Sequence, residues 1–221
     1  MNKVVKRSLE ILQQAKDNYR NVAVACSFGK DSLVTVHLAQ QIDPNIPVFS
    51  VMTRYKPEIT RAFKTYMTGL WHLNLTTYES TADVADDLHI TDPDECCRLL
   101  KVEPTKKAIR DLKLDAWVAG LRRDEGYTRA DYKEFEIYKC DLGEDLIKVN
   151  PIIGWSEVDV WKYVAQHHIP VIPLYYEGYR SLGCEKCSKP YTEAERGGRW
   201  QGTGKEGGEC GIHGKMFKRL N

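Results

Sequence analysis

Seven cysteines stand in this chain of 221 residues: Cys26, Cys96, Cys97, Cys140, Cys184, Cys187 and Cys210. Cys96-Cys97 and Cys184-x-x-Cys187 together offer four soft thiolates, enough for a 4Fe-4S cluster or a structural zinc. Neighbouring residues on a helix point about 100° apart, so one tetrahedral zinc would hold both Cys96 and Cys97 only awkwardly. A cubane presents separate iron corners to separate sulfurs, and iron–sulfur is the expectation. Cys26 and Cys140 fall inside predicted strands and read as buried, inert thiols. Cys210 stands alone in Glu209-Cys210-Gly211-Ile212-His213, with no partner at ligand spacing. It is a candidate nucleophile, because a thiolate attacks far better than a thiol and its pKa falls beside cations. His213 stands three residues on, within reach of a substrate or of the thiol. A lone cysteine near a chain end is more often incidental, so this reading needs support from elsewhere in the sequence.

That support begins with groups suited to an anion. The loop 27–32 (SFGKDS) supplies backbone N–H groups of Gly29 and its neighbours, the hydroxyls of Ser27 and Ser32, and Lys30, where a helix dipole begins. It lacks the glycine spacing of a Walker A motif. Read without a ligand, it is a tight strand-to-helix turn capped by polar residues. Lys101, Arg122, Arg123, Arg129, Arg196, Arg199 and Lys205 are further cations. Arginine suits a bidentate grip on phosphate and sulfate oxygens, although any single one is more often a solvated surface charge.

The elements that must position these groups follow from periodicity. Residues 3–18 read as an amphipathic helix, 21–27 (NVAVACS) as a short apolar strand, and the loop 27–32 as the turn into a second helix. Strands are predicted at 47–52, 73–78 and 115–120, with a helical pattern over 57–70, and strand–helix alternation implies a mainly parallel sheet covered on both faces. Segments 135–140 and 145–150 read as a hairpin around Leu142-Gly143-Glu144. Ser156, with Asp159 three residues on, predicts the capped start of a helix running to about residue 168. Beyond Tyr175 the composition changes: ten of the 16 glycines fall between Gly178 and Gly214. The expectation is one catalytic domain, 1–221, with a nucleotide-binding α/β core over 1–175. Residues 176–221 would form a loop-rich segment outside the core, mobile unless a metal, a ligand or the main body pins it.

Bulk properties exclude other classes. Lys and Arg number 32 against 31 Asp and Glu, so no global field points to nucleic acid or an anionic membrane. No apolar run has signal-peptide or membrane-span length, which predicts a cytoplasmic protein, and seven cysteines in a reducing compartment favour metal ligation or thiol chemistry over disulfides.

Taken in order, several blocks resemble the sulfonucleotide reductases, in their iron–sulfur branch. They are the loop 27–32; Cys96-Cys97 with Lys101-Val102-Glu103-Pro104; Gly120-Leu121-Arg122-Arg123-Asp124 through Thr128-Arg129-Ala130; Pro151 with Trp155-Ser156 and Asp159-Val160-Trp161; Ser181-Leu182-Gly183-Cys184-x-x-Cys187; Arg196-Gly-Gly-Arg199-Trp200; and Glu209 to His213. The resemblance implies an adenine-nucleotide α-hydrolase-like, Rossmann-like α/β fold with the nucleotide at the carboxyl ends of the strands. It implies a 4Fe-4S cluster on Cys96, Cys97, Cys184 and Cys187, and a sulfonucleotide held by Ser27, Gly29, Lys30, Ser32, Arg122, Arg196, Arg199 and His213. Lys101 would lie between cluster and sulfate. Cys210 would attack sulfur in adenosine 5′-phosphosulfate to give an S-sulfocysteine, and thioredoxin or glutaredoxin would then release sulfite; a homo-oligomer is compatible with all of this. The chain departs from the pattern at Phe28, where many relatives have glycine, and at 51–58 (VMTRYKPE), which lacks the relatives' Asp-Thr-Gly. The alternatives are the same reaction on the 3′-phosphorylated nucleotide, with Arg54, Lys56 or Arg61 as the extra cation; an ATP-activating adenylyl or thiolation enzyme; and a non-catalytic nucleotide-binding metalloprotein. Only the last two leave the Glu209 to His213 block unexplained.

Overall fold

Two four-residue strands, Val-Ala-Val-Ala and Ala-Trp-Val-Ala, are apolar on both faces, and such strands are stable only when both faces are covered. They are β1 (Val22–Ala25) and β4 (Ala116–Ala119), and they pair in parallel at the middle of the sheet. The computed structural model describes residues 2–139, 145–191, 193–205, 209, 212 and 218–220. Cys140, the turn 142–144, Cys210 and His213 therefore lie outside the described residues.

In chain order α1 (Asn2–Asn18), β1, α2 (Lys30–Ile42), β2 (Val48–Met52), α3 (Glu58–Leu70) and β3 (Leu75–Glu79) build one half. Two short helices, α4 (Leu88–Thr91) and α5 (Pro93–Cys97), lead through a π-turn (Arg98–Val102) into α6 (Glu103–Asp111) and β4. The antiparallel pair β5 (Phe135–Lys139) and β6 (Asp145–Val149), helix α7 (Glu157–Gln166) and a terminal strand β7 (Lys218–Leu220) complete the described elements. The sheet order is β3-β2-β1-β4-β6-β5-β7, parallel from β3 to β6, with β5 antiparallel to both neighbours. The predicted strands and helices are all present, most of them shorter at their ends by one or two residues.

Helices α1, α2 and α7 cover one face, where Ile11, Leu33, Val36, Val160 and Tyr163 pack on Val24, Val48, Val118 and Val149. Helix α6 covers the other, where Ala108 packs on Ala23, Phe49 and Trp117. The period-2 alternation along β1, β2 and β4 sends successive residues to opposite cores. At the start of α7 the Ser156 hydroxyl accepts from Asp159 N–H at 3.1 Å and the Asp159 carboxylate accepts from Ser156 N–H at 3.0 Å, the capping box the sequence announces.

In the segment after Tyr175, Trp200 is fully buried against Cys184 and Cys187, and β7 extends the sheet. The main body pins this segment: Glu185 N–H donates to Tyr55 C=O at 2.8 Å, and Glu195 reaches Lys30. Among the described residues no helix is long and apolar enough to cross a membrane.

Candidate active site

Chain order reverses direction between β1 and β4, since β2 and β3 continue to one side and β6 and β5 to the other. At such a reversal the loops leaving the two strands diverge and open a crevice at their carboxyl ends. A crevice opens there, lined by the loop after β1, the Gly120-Leu121 turn after β4, and residues 180–183, Glu195, Arg196 and Arg199 from the C-terminal segment. Gly120 permits the closure, because a Cβ there would sit 2.8 Å from the Asp31 carbonyl oxygen and 2.8 Å from Thr35 Oγ1.

The loop after β1 is tightly self-bonded. Ser27 N–H donates to Ser32 Oγ at 3.2 Å, Ser32 Oγ donates to Gly29 C=O at 2.9 Å, and Lys30 N–H donates to the Tyr175 hydroxyl at 2.9 Å. Phe28 takes φ +63°, a left-handed conformation costing roughly 1–2 kcal/mol for a residue with a Cβ. Its ring is buried in the main core, which offsets that strain. A glycine would adopt this conformation without that strain, and the phenylalanine is held by packing.

The cations in the crevice meet carboxylates. Lys30 Nζ lies 2.5 Å from Glu195 and 3.1 Å from Asp31, with side-chain exposure of only 1%. Arg122, completely buried, donates through Nε to Asp31 at 2.6 Å and through Nη2 to the same Glu195 oxygen. Oxygens of Asp31, Glu125 and Glu195 lie within 4.8 Å of one another, so three carboxylates crowd between these cations. Burial would raise the Asp31 carboxyl, but Lys30 and Arg122 outweigh it and hold it below the usual range. Glu125 is pushed up, chiefly by burial. Arg129 pairs with Glu125 and Glu209, and Arg196 with Glu209. Arg199 lies 4.2 Å over the Trp200 ring and donates to Leu182 C=O at 3.1 Å and Ser181 Oγ at 3.3 Å. Gly183 makes room for it, since a Cβ would come within 2.3 Å of Arg199 Nη2.

Cys96, Cys97, Cys184 and Cys187 are all buried and line one adjoining pocket with Tyr55, Leu100 and Lys101. Cys96 and Cys97 end α5, and Lys101 rides the π-turn that follows, an irregularity frequent at functional sites. Lys101 lines both this cavity and the crevice. Burial would raise the Cys184 thiol, but the charges of Lys101 and Lys56, a contact with Thr53 Oγ1 at 3.2 Å and Arg199 hold it below its usual value. The Cys96 thiol is pushed up by burial and by Cys184 and Cys187, a repulsion that a shared cationic centre would relieve. Cys26 is a buried thiol that burial pushes up to about 11, in keeping with an inert role.

The sequence profile of the phosphoadenosine phosphosulfate reductase domain matches residues 21–190. The chain is 33% identical to the adenosine 5′-phosphosulfate reductase of Lysinibacillus sphaericus over 96% of its own length and 93% of that protein's. It is 38% identical to that of Rhodococcus opacus over 88% and 79% of the two chains. This chain belongs to the sulfonucleotide reductase family. The crystal structure of the phosphoadenylyl-sulfate reductase of Candida auris superposes with a TM-score of 0.69 at 20% identity, covering 82% of this chain and 90% of that one. The FMN adenylyltransferase of Candida glabrata shares the fold at TM-score 0.68 and 14% identity, over 85% and 62%.

Of the residues singled out from the sequence, this reductase brings Ser27, Gly29, Lys30, Ser32, Lys101, Arg196 and Arg199 to one crevice. Arg122 is buried just behind its rim, bonded to Asp31 and Glu195. Cys210 and His213 lie outside the described residues, but Glu209 and Ile212, on either side of Cys210, both line the crevice. Sequence reasoning missed the acids Asp31, Glu125, Glu195 and Glu209 as counter-ions, and Tyr175 as the loop's cap. A signal was present: Asp31 follows Lys30, Glu195 precedes Arg196, and Glu209 precedes Cys210. Arg54 and Arg61 are held elsewhere, by Asp83 with Val84 C=O and by Glu79 with Thr53 C=O, whereas Lys56 lines the crevice.

Proposed function

We propose that this chain reduces adenosine 5′-phosphosulfate to sulfite and AMP through an S-sulfocysteine on Cys210, as one catalytic domain with a nucleotide-binding core over 1–175 and a C-terminal segment, 176–221, that closes the site. The observation that carries the reading is Lys101, shared by the crevice and the four-cysteine cavity, with Lys30, Arg196 and Arg199 converging on the same crevice. Named relatives that act on adenosine 5′-phosphosulfate, matched over nearly the whole chain, support that substrate.

The chemistry divides among the residues. Ser27, Gly29, Lys30 and Ser32 hold the phosphosulfate at the start of α2, where N–H groups and the helix dipole favour an anion. Arg122, Arg196, Arg199 and His213 neutralise charge on the sulfonyl and phosphate oxygens, and Arg199 is fixed by Trp200 and the 181–183 turn before the substrate arrives. The Cys210 thiolate attacks sulfur, an S–S bond forms, the S–O bond to phosphate breaks, and AMP leaves with the electron pair. A dithiol reductant, thioredoxin or glutaredoxin, then attacks the Cys210 sulfur; sulfite departs, and the second reductant thiol closes a disulfide and restores Cys210. Cys96, Cys97, Cys184 and Cys187 would hold a 4Fe-4S cluster, which when bound organises charge and structure beside Lys101.

The test is sulfite release by anaerobically purified protein from each nucleotide, with and without thioredoxin. Adenosine 5′-phosphosulfate should have the higher kcat/KM. A preference of tenfold or more, about 1.4 kcal/mol, for the 3′-phosphorylated form would reverse the substrate and point to Lys56. No sulfite from either would remove the reading.

A further inference from the structure

Glu209 is the residue before Cys210, and its carboxylate is clamped. Arg129 donates Nε to Oε2 at 2.7 Å and Nη2 to Oε1 at 2.9 Å, a two-pronged grip that fixes direction as well as distance. Arg196 Nη2 adds a third donor at 3.1 Å and Thr128 Oγ1 a fourth at 3.4 Å. Arg129 is itself bonded to Glu125. Side-chain exposures of 4% for Arg129 and 9% for Glu209 separate this clamp from surface ion pairs, which contribute little. Two residues beyond Cys210, Ile212 packs against the apolar cluster of Ala23, Phe49 and Trp117. The chain is thus anchored on both sides of Cys210, by charge before it and by apolar packing after it.

We infer that Glu209 is a positioning residue: docked on Arg129 and Arg196, it seats the Cys210 thiolate for in-line attack on the sulfonyl sulfur. This rests on the reading of Cys210 as nucleophile. Arg196 is shared between Glu209 and the substrate's anion, whereas Arg129 forms the two shorter bonds, so Arg129 keeps the anchor when Arg196 turns to substrate. Glu209 acts on sulfonyl transfer and not on nucleotide affinity; removing its charge leaves the crevice more positive and costs no anion binding.

The experiment is a single turnover with adenosine 5′-phosphosulfate and no reductant, following AMP release and the mass of the Cys210 peptide, with AMP affinity measured by calorimetry on the same proteins. Glu209→Gln should slow adduct formation by about 10²-fold, the scale of losing near-attack alignment, while the Kd for AMP stays within threefold or tightens. Glu209→Asp keeps the charge with a shorter reach and should restore part of the rate. Arg129→Lys, which keeps charge but loses the fork, should slow the same step. A Glu209→Gln protein that forms adduct at the wild-type rate would overturn the inference, and so would equal losses in rate and AMP affinity. If Glu209→Gln does not fold, Glu209→Asp decides: its adduct rate must fall with AMP affinity unchanged. Wild-type protein that forms no adduct, or forms it on another cysteine, removes the nucleophile itself before any variant is compared.

Discussion

Replacing Glu195 with glutamine tests the electrostatics of the crevice directly. One carboxylate oxygen of Glu195 serves both Lys30 and Arg122, and the three side chains are 6%, 1% and 0% exposed. Breaking a buried pair by removing one charge typically costs about 3–5 kcal/mol. Here Asp31 still bonds both cations, at 3.1 and 2.6 Å, and glutamine keeps an acceptor oxygen, so the expected loss is nearer 2 kcal/mol. For a chain of this length that corresponds to a fall in Tm of about 4–8 °C. The vacated counter-charge is the place an anionic nucleotide would fill, so AMP should bind the variant about tenfold tighter, worth about 1.4 kcal/mol. Saturating AMP should then recover much of the lost stability, because a ligand that binds only the folded state stabilises it in proportion to ln(1 + [L]/Kd). Urea denaturation with and without AMP at fixed ionic strength measures both quantities. An unchanged midpoint without ligand, or AMP affinity that falls with stability, would refute the reasoning.

Three further outcomes are expected. Lys148 is buried with no hydrogen-bond partner for Nζ among the described residues, 5.2–5.6 Å from the rings of Trp117, Tyr132 and Tyr138, and burial lowers its pKa from 10.5 to about 7. Between those values unfolding takes up a proton and stability rises with pH, so the cost of the buried ammonium is fully present below about 7 and gone above about 10.5. Lys148→Met should therefore stabilise the chain by about 2–4 kcal/mol at pH 6 and far less at pH 10, measured by urea denaturation; an equal gain at both would exclude protonation as the cause. Gly120→Ala places a Cβ 2.8 Å from the Asp31 carbonyl and should cost about 1–3 kcal/mol and weaken AMP binding by displacing the start of α2; calorimetry that finds wild-type affinity contradicts this. Serine at any of Cys96, Cys97, Cys184 or Cys187 should lower bound iron in anaerobically purified protein, while Cys26→Ser keeps it; equal iron loss in all five would mean general misfolding.

Much of the fold is legible in the sequence because its signals are local. Apolar tetrapeptides long enough for a strand and too short for a helix, the turn 27–32, and the Ser156–Asp159 cap each depend on neighbours within a few residues, and each stands where it was expected. The four thiols could be grouped by residue type and spacing alone, since few other partners suit such a soft donor set. What only the tertiary structure decides is which charges meet. Arg122 and Lys30 look in sequence like free anion-binding cations, yet in the folded chain they share Glu195, which is 73 residues from one and 165 from the other. The fate of residues 176–221 is likewise non-local: glycine-rich composition predicts a loose segment, whereas burial of Trp200 against Cys184 and Cys187 and the seating of Glu195 hold it to the body. Periodicity reports the environment of one element at a time. Pairing of buried charges and docking of a segment without regular structure are set by the chain's path through space, and no local pattern records that path.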